Sequence, residues 1–223
     1  MKNLLYLLGL LFIISCTSTR TTVSTIKQPA RVKIETDSGT MVIQLYDKTP
    51  LHRDNFVKLV KEGFYDSLLF HRVINNFMIQ GGDPNSRHAG KGILLGEGGL
   101  NYTIPAEFDT SLYHKKGALA AAREGDNVNP SKSSSSTQFY IVDGQPFTDA
   151  MLKQVEERFH THIPDAHREV YKTLGGAPHL DMNYTVFGEV ISGLDVIDKI
   201  ASMPTDDNNR PITDIRMKIS VIK

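Results

Sequence analysis

Cysteine, tryptophan and net charge are all scarce in this chain of 223 residues. Cys16 is the only cysteine and tryptophan is absent. A lone cysteine excludes a disulfide framework, so a folded domain downstream of it is held by its apolar core alone. Lys and Arg total 25, as do Asp and Glu. That balance leaves no basic field to attract nucleic acid and no acidic tail. Long apolar runs are missing too: Leu4–Ile14 is shorter than a membrane-spanning helix needs. The stretch Arg87–Asn101 holds Gly90, Gly92, Gly96, Gly98 and Gly99. It contains neither Gly-Lys-Ser/Thr nor G-x-G-x-x-G, which excludes a phosphate cradle and leaves a glycine-rich surface loop.

What is present begins with a targeting segment. Lys2 supplies a positive start and Leu4–Ile14 an apolar centre, ending in Ile13-Ile14-Ser15-Cys16. This resembles a bacterial lipobox, in which the signal is cut before the cysteine and the cysteine is acylated. On that resemblance residues 1–15 are a signal peptide and Cys16 is the lipidation site. Residues 16–29 are a flexible tether, because Thr17–Pro29 is Ser/Thr-rich without apolar periodicity. At full extension the tether reaches roughly 45 Å. The expected location is the cell envelope, lipid-anchored to a bacterial membrane and facing the periplasm.

From residue 30 to 223 the pattern is that of one domain. Val32 and Ile34, then Met41, Ile43 and Leu45, alternate on either side of Asp37-Ser38-Gly39, which predicts a β-hairpin. Thr49-Pro50 starts a helix with Phe56, Leu59 and Val60 on its apolar face, and Gly63 ends it. Phe70–Pro84 reads as strand, short turn, strand and glycine stop. Gly117–Arg123 is a strand of small residues, and small side chains let a ligand approach the backbone. Asn127–Ser136, with four serines in a row, reads as a solvated, mobile loop. Thr137–Val142 is a further strand. Between about 145 and 178 lie two helix patterns, one carrying Leu152, Val155 and Phe159, the other Ala166, Val170 and Leu174. Ser192 caps a last helix with Leu194, Ile197 and Ile200 inside, and Arg216–Ile222 alternates with Met217, Ile219 and Val221 inward. About eight alternating strands predict a mainly β fold: a closed eight-stranded antiparallel barrel capped by two helices, with a two-helix insertion.

The stretch FHRVINNFMIQGGDP, Phe70–Pro84, carries the chemistry. Arg72 is the one permanent charge before Asp83 in an apolar, aromatic setting, and arginine tolerates such a setting better than lysine. Phe-His-Arg, two apolar residues, a turn and then Phe-Met-x-Gln-Gly-Gly-Asp closely resemble the signature of the cyclophilin-type peptidyl-prolyl isomerases. The likeness extends from about Arg31 to the C-terminus, with Tyr102–Phe108, Thr137–Val142 and Leu180–Val190 continuing it. Residues 145–178 have no counterpart in the minimal family pattern.

The resemblance implies cis/trans rotation about X-Pro bonds, with no cofactor and no metal. It makes Arg72 the catalytic residue, donating near the prolyl nitrogen and carbonyl. Phe77, Met78, Tyr140 and Leu180 would form the ring pocket, Gln80 and Gln138 would orient the substrate carbonyl, and Ala122 and Arg123 would pair with its backbone. His179 and Tyr184 are also expected to contact the substrate, and three positions depart from the family: Tyr140 replaces the usual Phe, His179 a common Trp or Phe, and Tyr184 a common His. A buried Tyr140 hydroxyl needs a partner, which predicts a more polar pocket floor. Alternation sends His71 to the face opposite Arg72, where it reads as structural.

The expected partners are proline-containing polypeptides and, through the anchor, a membrane; a monomer is expected. The alternative is a catalytically weak peptide-binding chaperone or scaffold, against which stand Arg72, Phe77, Met78 and Gln80. A metal site at His160, His162 and His167 lacks a recognisable ligand spacing. The insertion, emerging at both ends beside the pocket, is expected to shape substrate choice rather than catalysis.

Overall fold

The computed structural model describes residues 29–222. The expected signal peptide, Cys16 and nearly all of the expected tether lie outside the described residues. Among the described residues no helix is long and apolar enough to cross a membrane.

Strands β1 (Arg31–Thr36) and β2 (Gly39–Leu45) form the expected hairpin, and Val32, Ile34, Met41, Ile43 and Leu45 are all fully buried. Helix α1 (Pro50–Lys61) follows, then β3 (Phe70–Ile74), β4 (Met78–Gly81) and the two-residue β5 (Thr103–Ile104). Next come β6 (Ala118–Ala121), β7 (Ser134–Ser135) and β8 (Phe139–Val142). Helices α2 (Asp149–Phe159) and α3 (Asp165–Thr173) make the insertion, and β9 (Val186–Ser192), α4 (Leu194–Ala201) and β10 (Lys218–Ile222) complete the chain. The main sheet is antiparallel throughout, in the order β10-β1-β2-β9-β6-β8-β4-β3, with β5 and β7 paired separately.

The expected barrel closure is not found as a strand ladder: β10 and β3 stand at the two ends of the order. The seam is crossed at the start of β3 and just ahead of β10, where Ser67 N donates to the Met217 carbonyl, Met217 N to Leu68 and Phe70 N to Ile215, each at 2.9 Å. Ser67 sits at φ +65, where the backbone is not extended, and pairing across the seam amounts to an isolated antiparallel bridge between Leu69 and Arg216. The sheet is a curled half-barrel.

Both helices expected as caps pack on its inner face. Phe56, Leu59 and Val60 of α1 and Val196, Ile197, Ile200 and Ala201 of α4 join the main core. Each of these side chains other than Ala201 contributes roughly 1.5–3 kcal/mol on burial. Gly63, at φ +67, ends α1 with Phe64 N on the Leu59 carbonyl. The other cap residues differ from expectation. Thr49 makes no side-chain capping bond, and the last helix is entered through Gly193 in the left-handed region rather than through Ser192.

Strands β6 and β8 are buried at every residue because the sheet is covered on both faces. Leu119, Ala121, Phe139 and Ile141 point into the main core, while Ala118, Ala120, Tyr140 and Val142 belong to a second apolar cluster on the outer face, with Met78, Ala177 and Val186. Three further expectations need correction. In α3 the buried residue is Tyr171, while Ala166 and Leu174 are exposed. Tyr171 reaches a small core with Leu152 and Ile163 that the aliphatic stripe did not indicate. Val221 is exposed at the sheet's end. The serine loop is not simply solvated: Ser134 and Ser136 are buried, the former in the β5–β7 pair.

Candidate active site

Strand register assembles the site. Arg72 faces Gln80 across β3–β4, Gln80 faces Tyr140 across β4–β8, and Tyr140 faces Ala120 across β8–β6. One row of the outer face therefore runs Arg72, Gln80, Tyr140, Ala120. The next row places Ile74, Met78 and Val142 together. Residues far apart in sequence meet because antiparallel partners directly opposite one another share a face.

A cavity of about 290 Å³ lies over this surface. Arg72, Phe77, Met78, Gln80, Ala122, Arg123, Tyr140, Leu180 and Tyr184 all line it. Gln138 lies just beyond, in an adjoining cavity of about 580 Å³ that Gln80, Ala122 and Arg123 also border. His179 lines neither; its ring packs against Phe77 at 5.6 Å between centroids and against Phe159 of α2 at 5.7 Å. The insertion thus reaches the rim through an exposed phenylalanine.

The polar groups form a chain. Arg72 Nη1 donates to Gln80 Oε1 at 3.1 Å, Gln80 Nε2 donates to Gln138 Oε1 at 3.1 Å, and Gln138 Nε2 donates to the carbonyls of Gly96 and Gly98 at 2.7 Å. The guanidinium is half-buried, and burial lowers its pKa from the ordinary arginine value, opposed by Tyr184. It stays a cation, because arginine titrates so far above neutrality. The glycine-rich loop is therefore a wall of the site. Asp83, buried after β4, holds its far side by accepting from Gly96 N at 2.5 Å. A Cβ at Gly98 would lie 2.0 Å from Asp83 Oδ1, so only glycine admits this approach.

Ala122 and Arg123 divide differently from expectation. The Ala122 amide donates to the Gln138 carbonyl at 3.0 Å and its carbonyl accepts from Ser135 N at 2.8 Å. Its backbone is committed within the fold. The Arg123 side chain lies over the Tyr184 ring at 4.5 Å and donates to the Asn183 carbonyl at 2.7 Å.

His71 also departs from the expected alternation. The β3–β4 register shifts between Phe70 and Arg72, a bulge that lets His71 border the same cavity as Arg72. Its ring is buried, and a Cβ at Gly96 would be 3.7 Å from its Nε2. Burial pushes its pKa down to about 4, against the opposing pull of Asp83.

Two functional groupings were missed from sequence. Glu107 takes the capping role that Thr49 does not fill: its carboxylate accepts from Leu51 N and His52 N at 3.0 Å, and from His52 Nδ1 at 2.7 Å. The other grouping surrounds the Tyr140 hydroxyl, whose partner is His114 Nε2 at 2.9 Å. The hydroxyl is bonded within the protein, so the floor presents an aromatic ring rather than a free polar group. The signal for it was present in Tyr140 itself, a buried hydroxyl in want of a partner.

Of the insertion's histidines, His167 stacks on Tyr113 at 3.7 Å and His162 lies 3.3 Å from Glu156. Among the described residues no group of three or more His, Cys, Asp or Glu is arranged to hold a metal.

Comparison with known proteins gives the same direction. The family model described as cyclophilin type peptidyl-prolyl cis-trans isomerase/CLD matches residues 31–221. A Staphylococcus haemolyticus protein named as a peptidyl-prolyl cis-trans isomerase is 34% identical over 83% of this chain and 87% of its own length. A Streptococcus pyogenes protein named as a bifunctional phosphatase/peptidyl-prolyl cis-trans isomerase is 37% identical over 83% of this chain, which spans only 37% of that relative. Among solved structures, a Cryptosporidium parvum cyclophilin-type isomerase crystallised in the presence of the dipeptide Ala-Pro superposes with a TM-score of 0.60. It is 25% identical, covering 86% of this chain and 99% of that one. With the signature residues gathered around one outer-face cavity and the family model spanning nearly all of the described fold, this chain belongs to the cyclophilin-type peptidyl-prolyl cis-trans isomerases.

Proposed function

We propose that the protein accelerates X-Pro rotation in exported or folding polypeptides of the cell envelope, held near the membrane by acyl chains on Cys16. The observation that carries the reading of the site is the Arg72 guanidinium, oriented by Gln80 at the edge of an aromatic and Met-lined cavity. The amide C–N bond has partial double-bond character and a rotation barrier of about 18–20 kcal/mol. No nucleophile or proton transfer is needed to lower it. The proline ring enters between Phe77, Met78, Tyr140 and Leu180, which leaves Arg72 beside the rotating amide. A donor aimed at the prolyl nitrogen favours its pyramidal form and weakens amide resonance in the twisted state more than in either planar state. That is differential binding of the transition state.

Gln80 keeps the guanidinium in place, and Gln138 ties Gln80 to the glycine-rich wall. With Ala122 already bonded, Arg123 is the backbone partner for an extended substrate, in the manner of strand addition. One chain supplies every one of these residues, which fits a monomer at work.

The test is proline-peptide exchange on wild type and Arg72→Ala. Loss of about 3–4 kcal/mol of transition-state stabilisation slows exchange by roughly 10²–10³. Arg72→Lys does not rescue it, because the planar fork is missing. Near-normal catalytic efficiency in a folded Arg72→Ala protein refutes the assignment.

A further inference from the structure

We propose that His114, Asp181 and Tyr171 are positioning residues for the isomerase reaction. Through them the helical insertion holds the floor of the proline pocket. The proposal rests on the reading of the Arg72 cavity as the proline site.

Tyr140 is the central residue of that floor. It is only 5% exposed, borders the cavity, and lies between Gln80 and Ala120 in the strand register. A phenylalanine there would be held by packing alone. The tyrosine adds a directional requirement, since its buried hydroxyl must point at a partner. That partner is His114, fully buried ahead of β6.

Asp181 Oδ1 lies 2.8 Å from His114 Nδ1 and 2.9 Å from His114 N. An ionised carboxylate only accepts, so Nδ1 carries the hydrogen. Burial keeps the Tyr140 hydroxyl protonated, and Nε2 is the partner it has to donate to. The second carboxylate oxygen, Asp181 Oδ2, accepts from the Tyr171 hydroxyl at 2.6 Å. The result is an unbroken series: Tyr140 to His114, His114 to Asp181, and Tyr171 to Asp181 from the other side. The rings of His114 and Tyr140 are nearly parallel, at 14°.

The two ends of the series belong to different parts of the fold. Tyr140 is in the central sheet. Tyr171 is on α3 of the insertion, fully buried with Leu152 and Ile163. Asp181 directly follows Leu180, so the carboxylate that orients the histidine also fixes the chain carrying a residue that lines the pocket. The insertion is therefore more than a rim element. Its small core anchors a hydroxyl that anchors the carboxylate behind the pocket floor.

A floor ring meets the proline ring in the planar and the twisted states alike. Misplacing it weakens binding of both equally, which changes affinity and leaves turnover at saturation unaltered. Arg72 acts in the opposite sense. This split separates positioning of the floor from catalysis.

The experiment is an NMR titration of an Ala-Pro-containing tetrapeptide, giving its dissociation constant and its exchange rate at saturation. It is run on wild type, His114→Asn, His114→Gln and Tyr171→Phe, with a melting temperature for each. Asn places an amide near the Nδ1 position and leaves Tyr140 without an acceptor. Gln carries a carbonyl to the Nε2 position and restores one. The expected results are affinity weakened about three- to tenfold in His114→Asn, about twofold or less in His114→Gln, and about two- to threefold in Tyr171→Phe. Saturated exchange stays within about twofold of wild type throughout.

Equal affinities for the Asn and Gln variants, or affinities that merely follow melting temperature, overturn the proposal. If a His114 variant does not fold, Tyr171→Phe decides alone: weakened binding at an unchanged melting temperature supports the proposal and unchanged binding overturns it. A wild-type protein without exchange activity overturns this proposal together with the Arg72 reading. An Arg72-dependent wild type with normal binding by the variants overturns this one only.

Discussion

His71 should make the fold acid-sensitive in a way that one substitution removes. The ring is buried beside Arg72 and Arg210, both of which disfavour its protonation, while burial itself is the larger cause and Asp83 opposes them all. Its folded pKa is about 4, against about 6.5 in an unfolded chain. The folded state therefore prefers neutral histidine. Its contribution to stability is whole above the unfolded pKa and is lost as pH falls from about 6.5 towards about 4, because only the unfolded chain binds the proton readily there. A separation of about 2.5 pKa values corresponds to about 3 kcal/mol once pH is below both, of which about 2 kcal/mol is lost between about pH 7 and about pH 5.

Urea unfolding of wild type and His71→Gln at several pH values across that range isolates the effect. Glutamine does not titrate, whereas the carboxylates and the other depressed histidines, His52, His167 and His179, titrate in both proteins and cancel in the difference. Wild type should lose about 2 kcal/mol more than the variant between about pH 7 and about pH 5. A difference between the two that stays constant across the range refutes the reasoning, whatever the variant costs at neutral pH.

Two other expectations concern regions away from the pocket. Fractionation of cells expressing wild type and Cys16→Ala tests the anchor: each buried acyl CH₂ contributes about 0.8 kcal/mol, so the wild type sediments with membranes and the variant does not, and equal solubility argues against lipidation. Glu107→Ala removes the acceptor for two amides of the first turn of α1 and the partner of His52. Thermal and urea unfolding should show a loss of about 1–3 kcal/mol, and an unchanged midpoint would mean that the helix start is capped by water instead.

Much of the site could be read from sequence because its residues sit in a contiguous, strongly patterned stretch. Arg72, Phe77, Met78 and Gln80 lie on one hairpin, where alternation and the glycine stop define which side chains share a face. The strands of Gly117–Arg123 and Thr137–Val142 were recognisable for the same reason. Alternation failed at His71, because a bulge is one extra residue in a ladder and leaves no mark in local composition. The helical period failed in α3, where Tyr171 took the buried face from Ala166, Val170 and Leu174. The Tyr171 ring packs with Leu152 and Ile163 while its hydroxyl meets Asp181.

By itself, the sequence determined the order of elements, the apolar faces of the strands and of α1 and α4, and the arginine-bearing hairpin around which the pocket forms. These depend on periods of two and of 3.6 residues, and such periods are local. Only tertiary structure decided that the half-barrel stays open between β3 and β10, that Glu107 caps a helix more than fifty residues before it, and that Tyr140, His114, Asp181 and Tyr171 meet. Each of those depends on a directional polar group finding a partner distant in the chain. Which partner it finds depends on how the packed elements lie in space, and no local period records that.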